Sequence, residues 1–134
     1  MQNLNKGKRD PDEVQRKLVE AKIHLAFCAE LYKMQIESGR YYLHEHPTSA
    51  LSWSESCIQN IINHTDNFVT RIHMCAYEMK IPDKSGNEYV CKPTHFLTNS
   101  PIVAARIERK CDKNHQHAQL QGSRIKQAAI YPEK

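Results

Sequence analysis

Two clusters of ionisable side chains in this sequence could do chemistry. The first is Gly39-Arg40-Tyr41-Tyr42-Leu43-His44-Glu45-His46-Pro47, a carboxylate flanked by histidines and closed by a proline. The second is Cys111-Asp112-Lys113-Asn114-His115-Gln116-His117, a thiol and two imidazoles within seven residues. Cys111, His115 and His117 are metal-ligand types, and Cys91 or Cys75 could be a fourth. Structural zinc usually shows paired Cys-x2-4-Cys and His-x3-5-His knuckles. Here one Cys stands alone and the histidines are one residue apart, so zinc competes with a solvated polar loop. In the first cluster, His44 and His46 would share a face of a strand while Glu45 points the other way. They form a possible ligand pair without an evident third, which favours Glu45 as a lone functional carboxylate.

The elements that must position these groups follow from local signals. Asp10-Pro11 opens a helix as N-cap and first-turn proline, with Asp12 and Glu13 where the helix dipole favours negative charge. Val14, Leu18, Ala21, Leu25, Cys28 and Tyr32 trace one face of it to about Glu37, where Ser38-Gly39 stops it. Phe27 and Leu31 widen that stripe, and Cys28 reads as core. A strand, Arg40 to Glu45, follows, and Pro47 ends it because proline cannot donate to a ladder. Helix, glycine turn and strand read as half of an αβ unit in a parallel sheet. A helix over Ala50 to His64 carries Leu51, Trp53, Cys57, Ile58, Ile61 and Ile62, with Trp53 near the strand end.

Further on, Phe68 to Tyr77 alternates as a strand, with Phe68, Thr70 and Ile72 on one face and Val69, Arg71 and His73 on the other. Pro82 to Glu88 is a hairpin-like loop. Tyr89 to Cys91 and then Phe96 to Leu97 are short strands. Pro101 to Arg109 is a helix capped by Asn99 or Ser100, and a small helical stretch lies around Ile125 to Ala129. The expected class is therefore α/β, with a partial sheet of about 3–5 strands and flanking helices.

The 134 residues suit one domain, set at 11–132, behind a flexible basic N-terminal arm, 1–10, that carries Lys6, Lys8 and Arg9. Net charge is +4 and the pI is near 8.8, compatible with a nucleic-acid partner without demanding one. No apolar run is long enough to span a membrane and the start is polar, so the expected location is intracellular, cytoplasmic or nuclear. Five cysteines, odd in number and without framework spacing, read as reduced thiols. The four glycines (Gly7, Gly39, Gly86, Gly122) are scattered, so there is no dinucleotide or P-loop pattern. No Pro-Cys dipeptide and no G-x-S-x-G occur.

Read together, several pieces resemble a known family. They are Gly39 to Pro47 with Ser52-Trp53, Met74-Cys75, Lys92-Pro93-Thr94 with Phe96 to Ser100, Cys111 with Asn114 to His117, and Ala128-Ala129-Ile130-Tyr131-Pro132. The chain is similar to the C-terminal half of a cytosine-5 DNA methyltransferase-like domain, as seen in phage proteins and retroelement polyproteins. The resemblance implies a Rossmann-like sheet and a Glu at a strand end that contacts a flipped cytosine. Glu45 matches that position. His46 stands where the family has Asn. The nucleophilic Cys motif and the S-adenosylmethionine loop belong to segments upstream of those matched here, and none of the five cysteines matches the nucleophile.

The resulting expectation is a truncated methyltransferase-like domain from a mobile-element or viral protein, inactive as an isolated chain and without a cofactor of its own. The alternatives are a small basic nucleic-acid-binding module, with Arg40, Arg71, Lys92 and Thr94 as contacts, or a zinc-stabilised structural module. Half a sheet leaves a strand edge and a helix face uncovered, so DNA and a second chain or self-association are the expected partners.

Overall fold

The structure is a computed structural model and describes residues 10–64, 66–83, 86–121 and 123–129. The basic arm, the Ser85 turn position and Ile130 to Pro132 lie outside the described residues. Helix α1, Pro11–Glu37, begins where Asp10 accepts a hydrogen bond from the Asp12 amide and ends at Ser38, followed by Gly39 at φ +67. Strand β1, Leu43–Pro47, comes next. A 3-10 turn at Leu51–Ser54 then leads into α2, Ser56–Ile62. Strand β2, Phe68–His73, ends in a second 3-10 turn, Met74–Tyr77, so it is shorter than its alternation predicts. β3, Lys80–Asp83, and β4, Gly86–Tyr89, form a hairpin; β5, Pro93–Thr98, α3, Pro101–Ile107, and α4, Ser123–Gln127, complete the order.

The chain is α/β, with a partial sheet and flanking helices. Its main sheet has the order β1-β5-β2, and β3-β4 form a separate two-stranded sheet. Among the described residues the pairings between these strands are antiparallel, with Glu45 opposite Phe96 and Thr70 opposite Phe96 across β5. This corrects the parallel αβ unit expected from the helix–turn–strand order. β1 and β2 do run the same way, but β5 lies between them. Nothing in this topology singles out a Rossmann-like order.

The three-stranded sheet has a core on each face. On one side Leu97 packs with Leu25 and Ala29 of α1, Ile58 and Ile61 of α2, and Tyr42. On the other, Ile72 packs with Met74, Met79, Ile81, Val90 and Ala128, with Phe96 against them. The alternation of β2 holds: Thr70 and Ile72 are buried, whereas Val69 and Arg71 are exposed. Phe27 and Leu31 do not widen the buried stripe of α1; they lie on its outer side, 59% and 39% exposed. Cys28 is half-buried rather than core.

Candidate metal centre and strand-end groove

Cys75, Cys111, His115 and His117 converge from two distant stretches of chain. Cys75 lies in the 3-10 turn after β2, and the other three lie on the segment that follows α3. Their ligand atoms all fall within 4.8 Å of one another. The Cys111 Sγ is 3.6 Å from His115 Nε2 and 3.4 Å from His117 Nε2, and the two Nε2 atoms are 3.1 Å apart. The Cys75 thiol has the Cys111 and Cys91 thiols as its electrostatic neighbours. Burial and those thiol neighbours push the Cys75 thiol up to about 12 in the metal-free chain. A bound cation would have to displace that proton.

The ligand segment is pinned by groups outside the cluster. The Cys111 amide donates to His73 Nδ1 at 2.9 Å, which ties the segment to the end of β2. The Lys113 amide, with Lys113 at φ 62, donates back to the Cys111 Sγ at 3.3 Å. The His115 Nδ1 lies 2.9 Å from Asn114 Oδ1, which fixes the tautomer that presents Nε2 to the cluster. Tyr89 lies against the His115 ring at 4.2 Å, and its carbonyl accepts from the Ala118 amide. A polar cleft of about 450 Å³ opens beside Cys111 and His115, lined also by Glu78, Arg109 and Lys110.

The sequence offers Cys111, His115 and His117 together, with Cys91 or Cys75 for the fourth place. The structure puts Cys75 in the cluster and Cys91 beside it. His73 and Tyr89 support the cluster from segments far apart in sequence, which spacing does not encode, whereas Asn114 acts on the adjacent His115.

The strand-end residues are arranged differently. His44 and His46 share the face of β1 that looks at α1 and α2, and Glu45 alternates to the other face. The Tyr32 Oη lies 2.9 Å from His44 Nδ1, and His46 Nδ1 bonds the Ser52 hydroxyl. The Trp53 indole N–H donates to the Pro47 carbonyl at 2.9 Å, so the tryptophan does brace the strand end. Burial pushes the His44 imidazole down to about 4, with His46 adding to the effect, and burial also lowers His46. Burial raises the Tyr32 phenol to about 12. Both side chains of the Tyr32–His44 pair are therefore neutral at pH 7. Between α1 and β1 runs a mainly apolar groove of about 400 Å³, lined by Cys28, Tyr32, His44, Glu45, His46 and Ser52 among others.

Of the residues expected to contact nucleic acid, Arg71, Thr94 and Lys92 lie on or beside the β2–β5 pair and Arg40 lies ahead of β1. Arg40 precedes β1 and its Nε donates to Gln35. Arg71 is on exposed β2 and its Nε donates to His95 Nε2 at 2.8 Å. Lys92 leads into β5 at φ 31. Thr94 is fully buried, and its hydroxyl donates to the Lys92 carbonyl. Among the described residues no helix is long and apolar enough to cross a membrane. Comparison with known proteins finds no matching family model, no matching curated protein and no matching solved structure.

Proposed function

We infer that this chain is a zinc-stabilised α/β module whose metal is structural and whose role is binding rather than catalysis. The observation that carries this reading is the spacing of Cys111 Sγ, His115 Nε2 and His117 Nε2, with Cys75 Sγ within 4.8 Å of each. Around zinc, with Zn–S near 2.3 Å and Zn–N near 2.0 Å, a tetrahedral set has S···N edges of about 3.5 Å and N···N edges of about 3.3 Å. The separations of 3.6, 3.4 and 3.1 Å among Cys111, His115 and His117 fit those edges. Two thiols and two imidazoles fill all four positions, as in structural sites; catalytic zinc keeps one position for water. The donor set also suits zinc better than magnesium or calcium, which prefer oxygen.

The test is elemental analysis of the purified chain, with one zinc per chain as the expected result. Replacing Cys75 or His117 (Cys75→Ser, His117→Asn) should weaken zinc binding at least about 100-fold. Absence of stoichiometric metal, together with no rise in melting temperature on adding zinc, would overturn the reading.

A second reading is favoured by the groove beside Glu45 and His46. There the module is the partner-binding half of a cytosine methyltransferase-like site, holding neither nucleophile nor methyl donor. It calls for salt-dependent DNA binding that weakens in Arg40→Ala and Arg71→Ala, without S-adenosylmethionine binding. Calorimetry with S-adenosylmethionine and DNA titration at two salt concentrations decide it. Micromolar binding of the methyl donor, or no DNA binding at low salt, removes it.

A further inference from the structure

Helix α1 is apolar on two opposite sides. The inner side packs Leu25 and Ala29 into the core. The outer side carries Val19, Ile23, Phe27, Leu31 and Met34, which are 47, 66, 59, 39 and 56% exposed. Steps of four, four, four and three residues keep these side chains on one flank of the helix. Val19, Ile23, Phe27 and Leu31 form an i, i+4 row, the kind of ridge by which helices pack into one another. A single exposed apolar side chain needs no explanation, but a contiguous row of five does.

Two features point to a second copy of this chain as the occupant. First, the row is symmetric about Phe27. Ile23 and Leu31 lie four residues to either side, with Val19 eight before and Met34 seven after. Set antiparallel across a two-fold axis at Phe27, Ile23 of each copy meets Leu31 of the other, and Val19 meets Met34. An isologous interface needs that self-complementarity. Second, the ends of the row are oppositely charged. Arg16, 62% exposed on its side chain and paired with Glu20, stands before the row, and exposed Glu37 stands after it. An antiparallel copy puts Arg16 level with Glu37, whereas a parallel copy would put like charge on like.

We propose that α1 pairs antiparallel with α1 of a second copy through Val19, Ile23, Phe27, Leu31 and Met34, making the protein a two-fold symmetric homodimer. The inference stands apart from the metal reading and is tested separately, on zinc-supplemented protein, by sedimentation velocity from about 1 to about 100 µM. The expected result is a dimer whose dissociation constant rises at least about tenfold in Phe27→Glu, while circular dichroism is unchanged because Phe27 is 59% exposed and outside the core clusters. Arg16→Glu should weaken the dimer, and adding Glu37→Arg should restore it. If Phe27→Glu does not fold, Ile23→Ser with the same readout decides. A monomer at every concentration, or a dimer indifferent to these substitutions, overturns the proposal.

Discussion

His44 is polar, nearly fully buried and only half satisfied. Its Nδ1 meets Tyr32, but its Nε2 is buried without a hydrogen-bond partner. Such a group is tolerated only in its neutral form. Its imidazole titrates near 4 in the folded chain and near 6.5 when exposed. Below 6.5 the unfolded chain takes up a proton that the folded chain refuses. Stability from this residue is therefore complete above pH 6.5 and is lost as the pH falls towards 4. The expected loss between pH 7 and 4.5 is roughly 2 kcal/mol. Thermal melts across that range, on protein stripped of metal, should show the loss in the parent and a smaller one in His44→Phe. Little of this was legible in the sequence. His44 and His46 could be placed on one strand face by alternation, but what faces them comes from α1 and α2, and spacing along β1 does not encode it.

Elements with strong local punctuation were the most legible. Asp10-Pro11 and Ser38-Gly39 bracket α1 at the bounds the sequence suggested, because capping and a left-handed glycine are decided by neighbours in the chain. Gly39 sits at φ +67 with open space where a Cβ would project. Gly39→Ala should therefore cost about 1 kcal/mol through backbone strain alone, read as a shift of the urea midpoint. Ser100 caps α3 by accepting from the Val103 amide, and Ser100→Ala should cost about 1 kcal/mol in the same assay. The pairing of strands was not legible. β1 finds β5, some fifty residues on, and hydrophobic alternation is the same for parallel and antiparallel partners. The two sides of α1 misled for a related reason: periodicity reports that Phe27 and Leu31 are apolar, not which side of the helix the sheet will occupy.

Across the fold, the candidate metal-ligand cluster joins the turn after β2 to a long segment with little structure of its own. From Glu108 to Gln121 no helix or strand forms, apart from a single bridge between Tyr89 and His117. That segment reaches the second core, where Ala118 and Leu120 pack against the hairpin. Removing metal should loosen this half first. Chelation should lower the melting temperature by at least about 10 °C, and hydrogen exchange should rise in 108–121 before it rises in α1 or α2. Core truncation tests the other half: Leu97→Ala, at a fully buried position, should cost about 2–5 kcal/mol with zinc present. The three clustered ligands were legible because they lie within seven residues. Cys75 was one of two candidates, since nothing local ties it to a loop 36 residues away.

That separation has a kinetic consequence. In the denatured chain Cys111, His115 and His117 remain neighbours by covalent connection alone, and Cys75 does not. Excess zinc can therefore be captured by three ligands before any strand has formed. Ions bound to the denatured chain reduce the protection expected from mass action. They also hold 111–117 closed while β2 has yet to deliver Cys75 and the His73 acceptor. Refolding started with excess zinc should be slower than refolding to which zinc is added after the sheet has formed, and His117→Asn, which leaves only two of the three neighbours, should abolish the difference while Cys75→Ser keeps it. Stopped-flow fluorescence of Trp53, with the order of mixing reversed, is the measurement. Equal rates in both orders would show that the three neighbours do not hold the ion by themselves.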